Sequence, residues 1–102
     1  MVEQVYEGLQ RQLSVYYTQF IFTVKGREKS ENKIRNLIDI LGFINRHYDE
    51  FDEEDLLLVR NICLISNQLL TKIDTYKSLK LHNKDTVKIL LLSVNNKIKG
   101  SV

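Results

Sequence analysis

The chain has 102 residues, a formal net charge of +2 and a single cysteine, and it contains neither Pro nor Trp. This length suits one domain with one hydrophobic core, and the low net charge gives no argument for nucleic acid or an anionic membrane as a partner. A lone cysteine excludes an internal disulfide and favours a reducing, cytoplasmic location. No apolar run reaches about 18 residues and the N-terminus is acidic, so we expect neither a membrane span nor an export signal.

Apolar residues recur at helical spacing from Val2 to Val24, which predicts a first helix. Gly26 follows this run and is expected to end the helix with a positive φ angle. Ser30 is the expected N-cap of a second helix. The predicted buried face of that helix comprises Ile34, Leu37, Ile38, Leu41, Ile44 and Tyr48.

An acidic segment, DEFDEED at 49–55, separates the second helix from the third. A calcium-binding EF-hand loop requires Gly at its sixth position, where this segment has Glu54. We therefore interpret the segment as a helix start. Asp52 is the expected N-cap, and the acids that follow it lie at the positive end of the helix dipole.

The third helix is predicted from about Glu53 to about Leu79, and the fourth from the N-cap candidate Asn83 to Gly100. Both have an apolar stripe at a period of 3.6 residues. In the third helix the stripe comprises Leu56, Val59, Ile62, Cys63, Leu69, Leu70 and Ile73. In the fourth it comprises Val87, Leu90, Leu91, Val94 and Ile98.

An internal repeat underlies this order of helices. A shift of 53 residues superimposes the apolar faces of both helix pairs and the two expected N-caps, Ser30 and Asn83. We therefore predict an all-α fold: a four-helix antiparallel bundle built as two similar helical hairpins with pseudo-two-fold symmetry. The single domain spans 1–102, with the first hairpin at about 2–48 and the second at about 53–99.

The second hairpin has additional apolar residues at positions where the first is polar. They are Leu57, Leu64, Ile65, Ile89 and Leu92, which align with Gln4, Arg11, Gln12, Asn36 and Asp39. Burying five such side chains contributes about 7–15 kcal/mol, comparable with the net stability of a domain. Two explanations stay open: either the third helix is central and the chain covers these residues itself, or a second copy or another protein packs there.

No pattern in the chain carries chemistry. Cys63 lies within a predicted buried face and is interpreted as a packing residue, while His47 and His82 are isolated and cannot form a zinc site. The chain has no Ser-His-Asp order, phosphate-binding glycine loop or nucleotide fingerprint. We expect no enzymatic activity, catalytic residue, metal, cofactor or small-molecule substrate.

The sequence therefore favours a small protein-interaction module, such as an adaptor, an inhibitor or an immunity-type protein. It would bind a partner or itself through the five additional apolar residues. The alternative is a nucleic-acid-binding accessory protein that contacts phosphates with Lys84, Lys88 and Lys99 of its basic C-terminal helix. Small phage and viral proteins, bacteriocin immunity proteins and chaperones share this shape, and no residue motif selects among them.

Overall fold

The computed structural model describes the backbone of residues 2–27, 29–75 and 84–100, and the side chains of 8–27, 29–72 and 84–100. These residues form four α-helices: α1 (Val2–Lys25), α2 (Ser30–His47), α3 (Glu53–Thr75) and α4 (Lys84–Gly100). A single 3₁₀ turn, Tyr48–Glu50, follows α2, and the described ranges contain no strand. The predicted all-α four-helix bundle is confirmed, and a long helix followed by a shorter one occurs twice.

Contacts between side chains fix the directions of the helices. α1 and α2 are antiparallel, because Tyr16 stacks on Phe43 and Asn36 donates a hydrogen bond to Thr23 near the other end of the pair. α1 and α3 run in the same direction. Gln10 contacts Asp52 just before α3, and the Asn61 side chain donates to the Tyr17 hydroxyl further along both helices.

α2 and α4 also run in the same direction. Ile38, midway along α2, lines one cleft with Thr86 near the start of α4, and the Lys97 ammonium lies 5.8 Å from the centre of the Tyr48 ring near the ends of both helices. The Asn45 amide donates to the carbonyl of Leu90 between these two contacts, at 3.1 Å. Equivalent helices of the two hairpins are thus neighbours. The second hairpin is displaced sideways from the first, as in stacked hairpin repeats, and the expected pseudo-two-fold rotation is wrong.

The most deeply buried helix is α2, because it packs extensively on both α1 and α4. Its predicted face is buried except for Ile38, which is half-buried. Ile40 and Phe43, on adjacent sides of the helix, are buried as well. The expectation that the third helix is central is wrong, since α3 buries one face only.

The start of α3 is held by a reciprocal pair of hydrogen bonds. The backbone N–H of Asp55 donates to the Asp52 carboxylate at 2.9 Å, and the N–H of Asp52 donates to the Asp55 carboxylate at 3.2 Å. This arrangement is a capping box with Asp at both positions. The predicted N-cap role of Asp52 is confirmed.

Two other predictions about helix ends are wrong. The N-cap of α2 is Lys29, without a side-chain hydrogen bond, and Ser30 is already helical. α1 does end before Gly26, but no described glycine has a positive φ angle; the Gly26 N–H instead donates to the Phe22 carbonyl at 2.8 Å. The predicted end of the third helix at Leu79 and the N-cap candidate Asn83 lie outside the described residues.

The capping box predicts a pH dependence of stability. Burial raises the pKa of the Asp55 carboxyl above its usual value of 3.8, and the hydrogen bond from Asp52 opposes this only in part. Because the folded state binds this proton more tightly, Asp55 stabilises the fold below pH 3.8, and this contribution is lost as the pH rises through the pKa of the folded state. Asp55→Asn keeps an oxygen acceptor for the Asp52 N–H and cannot ionise.

We expect the free energy of unfolding of Asp55→Asn, relative to the unsubstituted protein, to increase between pH 3 and pH 7. Urea denaturation at a series of pH values measures this difference. A constant difference across the series would contradict the assigned pKa direction.

Candidate protein-binding surface

Four of the five additional apolar side chains of the second hairpin are exposed. The exposed fractions are 63% for Leu57, 59% for Leu64, 68% for Ile89 and 60% for Leu92. On α3 the buried residues Val59, Ile62 and Ser66 lie on the opposite side from Leu57 and Leu64, and on α4 Val87 and Val94 lie opposite Ile89 and Leu92. The described residues therefore leave these four side chains largely uncovered, and we name them the outer face.

Ile65 does not join the outer face. It is half-buried, packs against the core and lines a cleft with Val24, Lys33 and Leu69 where α3 meets the first hairpin. Of the five predicted contact residues, Ile65 alone fits the explanation that the chain covers them itself.

The internal repeat shows that two of these positions, those of Leu64 and Leu92, point outward in both hairpins. Arg11 is exposed, as is its aligned residue Leu64, and Asp39 is exposed, as is Leu92. The same backbone positions therefore carry charged side chains in one hairpin and leucines in the other. Their apolar character in the second hairpin is not explained by packing within the chain.

A groove between α3 and α4 connects the two halves of the outer face. Its volume is about 350 Å³, and Leu92 and Thr71 both line it. Thr71 lies two helical turns beyond Leu64 on α3. The remaining lining residues are Asn67, Leu70, Lys88, Leu91 and Asn95.

This surface has few charges, although Arg60 is exposed between Leu57 and Leu64 and Lys88 lines the groove. No residue from Asn61 to Thr71 on α3, or from Ile89 to Asn96 on α4, is ionised at neutral pH. Amide side chains such as Asn67 and Gln68 lie next to the exposed leucines. Protein interfaces have this composition, with apolar centres depleted in charged residues and a polar rim.

Sequence patterns did not single out two exposed apolar residues on α1, Val15 and Phe22. They are seven residues apart, as Leu57 and Leu64 are on α3, and this spacing is the signal that would have found them. Val15 lines an open cleft of about 730 Å³ between α1 and α2, together with Arg11, Arg46 and His47. This cleft lies on the first hairpin and shares no lining residue with the groove between α3 and α4.

The three lysines predicted to contact phosphates in the nucleic-acid-binding alternative differ in exposure. Lys88 and Lys99 are exposed, Lys84 is half-buried, and all three lie along one side of α4. Lys88 also lines the groove beside Leu92. Lys97 faces the bundle, where its ammonium donates to the Asn45 carbonyl at 3.0 Å.

No metal or nucleophile site is assembled in the described part of the chain. Nowhere in it do three or more His, Cys, Asp or Glu side chains gather closely enough to hold a metal ion. His47 pairs with Glu50 at 2.6 Å on the surface. The Cys63 thiol is buried, and burial raises its pKa to about 11.

Cys63 is therefore expected to react slowly with thiol reagents. Relative to an ordinary thiol, a pKa of about 11 reduces the thiolate population at neutral pH by about a hundredfold, and burial blocks access as well. Reaction with Ellman's reagent, followed by absorbance, should be at least a hundredfold slower in the native protein than in denaturant. Equal rates would show that the thiol is accessible.

Comparisons with protein-family models, with curated proteins and with solved structures found no match for this chain. Among the helices of the described residues, none combines the length and the apolar character needed to cross a membrane.

Proposed function

We propose that this chain is a small, non-enzymatic protein-interaction module that binds a partner protein or itself through the outer face of its second hairpin. One observation carries the proposal: four large apolar side chains are exposed at positions where the first hairpin has Arg11, Asp39 and other polar residues. An adaptor, an inhibitor or an immunity-type protein of the cytoplasm would act in this way, by occupying a surface of its partner.

The energy available from this surface suits a specific complex. Each of the four side chains is already about one-third buried, so complete burial contributes about 1–2 kcal/mol apiece. Together they supply a large share of the ~8 kcal/mol of a micromolar complex, before the cost of association is subtracted. Arg60 and Lys88 adjoin this surface, and their long side chains can keep the charged groups at a solvated rim, which avoids the penalty of burying an unpaired ion.

Paired lysine substitutions test this proposal. Leu64→Lys with Leu92→Lys places two charges in the centre of the outer face, and both side chains can remain solvated in the free protein. We expect proteins captured from cells of the source organism by the unsubstituted chain to be retained at least tenfold less by this variant. Quantitative mass spectrometry of the captured proteins measures the difference.

The internal repeat provides the control. Arg11→Lys with Asp39→Lys introduces lysines at the aligned exposed positions of the first hairpin. This variant should retain the same proteins as the unsubstituted chain, and all three should have the same helix content by circular dichroism. Equal retention by the outer-face variant and the control would refute the proposed surface.

The exposure of Lys88 and Lys99 favours one second candidate, a nucleic-acid accessory protein. Contacts to phosphates release counterions, so this function predicts an affinity that falls steeply with salt. Titration of duplex and single-stranded DNA at two ionic strengths measures it, and Lys88→Gln with Lys99→Gln should reduce the slope. Absence of binding at low salt would exclude this candidate.

A further inference from the structure

An acid and a base flank the apolar part of α3 on its exposed side, and Arg60 is exposed between them. Glu54 and Lys72 are both exposed and are 18 residues apart, which is five turns of an α-helix, so they lie on one line. Glu54 lies about 15 Å before Leu64 along the helix axis, and Lys72 lies about 12 Å after it. The apolar centre at Leu64 therefore has an acid on one side and a base at nearly the same distance on the other.

A two-fold axis through Leu64, perpendicular to α3, would relate two copies of the chain so that the acid of one faces the base of the other. It brings a second α3 alongside the first in the antiparallel direction and places the two copies of Leu64 against each other. In an antiparallel pair, residues on the same flank of each helix become neighbours. Glu54 of each copy then lies at the level of Lys72 of the other, so two opposite-charge pairs enclose the leucines.

The groove between α3 and α4 fits the same arrangement. Leu57 lies about 10 Å before Leu64, so the Leu57 side chain of the second copy lies about 10 Å after it, at the level of Thr71. Thr71 and Leu92 both line the groove, and Leu70 and Leu91 line it more deeply. An exposed leucine from each copy would thus pack beside Thr71, at the edge of the groove of the other.

We infer that the occupant of the outer face is a second copy of this chain, held as an antiparallel, two-fold symmetric dimer about Leu64 of α3. The inference rests on the proposed function and names its partner. Charge complementarity of the face with itself, with Glu54 and Lys72 on opposite sides of Leu64, distinguishes a second copy from an unrelated protein.

The molar mass in solution tests the inference directly. Sedimentation equilibrium from micromolar to millimolar concentration should give a mass that rises from 12.0 kDa to twice that value. Leu64→Lys brings two ammonium groups together at the axis and should raise the dissociation constant by about a hundredfold. Arg11→Lys, at the aligned position of the first hairpin, should leave the dissociation constant unchanged.

Reversal of the charges tests the antiparallel arrangement. Glu54→Lys and Lys72→Glu should each weaken dimerisation about tenfold, since each places like charges together at two positions. The two substitutions combined exchange the partners of each pair and should restore the dissociation constant to within about threefold. This recovery is not expected if the two residues act independently.

A disulfide provides positive evidence for the axis. Leu64→Cys should form a cross-linked dimer under mild oxidation, because each new thiol faces its own copy. Phe22→Cys, on the exposed side of α1, should form no cross-linked dimer under the same conditions, and the buried native Cys63 is common to both variants.

A mass of 12.0 kDa at every concentration would overturn the inference, and capture of other proteins through the outer face would then still stand as a separate test of the proposed function. A dimer that is unaffected by Leu64→Lys would overturn it as well. Failure of the double charge reversal to recover dimerisation would exclude the antiparallel pairing.

Discussion

Phe20→Ala should lower the free energy of unfolding by about 3–5 kcal/mol, the largest effect we expect from a single substitution in this chain. Phe20 is fully buried in the core. Truncation to Ala removes the transfer free energy of the ring and leaves a cavity that rigid neighbours fill only in part. Since small domains are stable by about 5–15 kcal/mol, this variant is expected to be partly unfolded near physiological temperature.

Phe22→Ala is the matched control, because it removes the same ring from the same helix only two residues away. Phe22 is 73% exposed, so its loss should change the free energy of unfolding by no more than about 0.5 kcal/mol. Urea denaturation followed by circular dichroism compares the two variants. Similar costs would mean that α1 is rotated about its axis relative to the orientation described above.

Leu70→Ala should cost about 2–4 kcal/mol, whereas Leu64→Ala on the same helix should cost less than about 0.5 kcal/mol in the monomer. Leu70 is a buried residue of α3 on the side of α4, and Leu64 is on the outer face. Both substitutions remove the same atoms from helix interiors, so helix propensity cancels in the comparison. The difference measures packing within the chain.

Unfolding must be measured at the lowest practical protein concentration, because self-association stabilises the folded state by mass action. At high concentration Leu64→Ala is expected to lose this additional stability, while Leu70→Ala shows its cost throughout. A large, concentration-independent cost for Leu64→Ala would mean that this side chain belongs to the core.

Local sequence patterns were sufficient to predict the helices of this fold. The 3.6-residue period identified four helices, and the acids around Asp52 identified the start of α3, where the capping box forms. Helix ends that depend on backbone geometry were predicted less well. Lys29, and not Ser30, is the N-cap of α2, because the chain reaches the helical conformation one residue earlier than the side-chain preference suggests.

The outer face was predicted from a difference between the two halves of the repeat. Comparison of aligned positions identified Leu57, Leu64, Ile89 and Leu92, which are apolar where the first hairpin is polar. Helical periodicity alone does not explain these residues, because they lie off the buried stripes of α3 and α4. Ile65 was included with them and is half-buried, since a side chain at the edge of a helix face is buried or exposed according to where the neighbouring helix lies. Phe22 was missed because it lies off the apolar stripe of α1, and only its seven-residue spacing from Val15 indicates a second apolar side of the helix.

The sequence alone determined that this chain forms helices, where most of them begin, and which positions of the second hairpin are unusually apolar, because these properties depend on residues a few positions apart. Tertiary structure alone decided that α2 is the central helix and that the hairpins lie side by side in the same direction. It also decided that the outer face is left uncovered. These features depend on contacts between residues distant in the chain, and one amphipathic pattern is compatible with several ways of packing its helices.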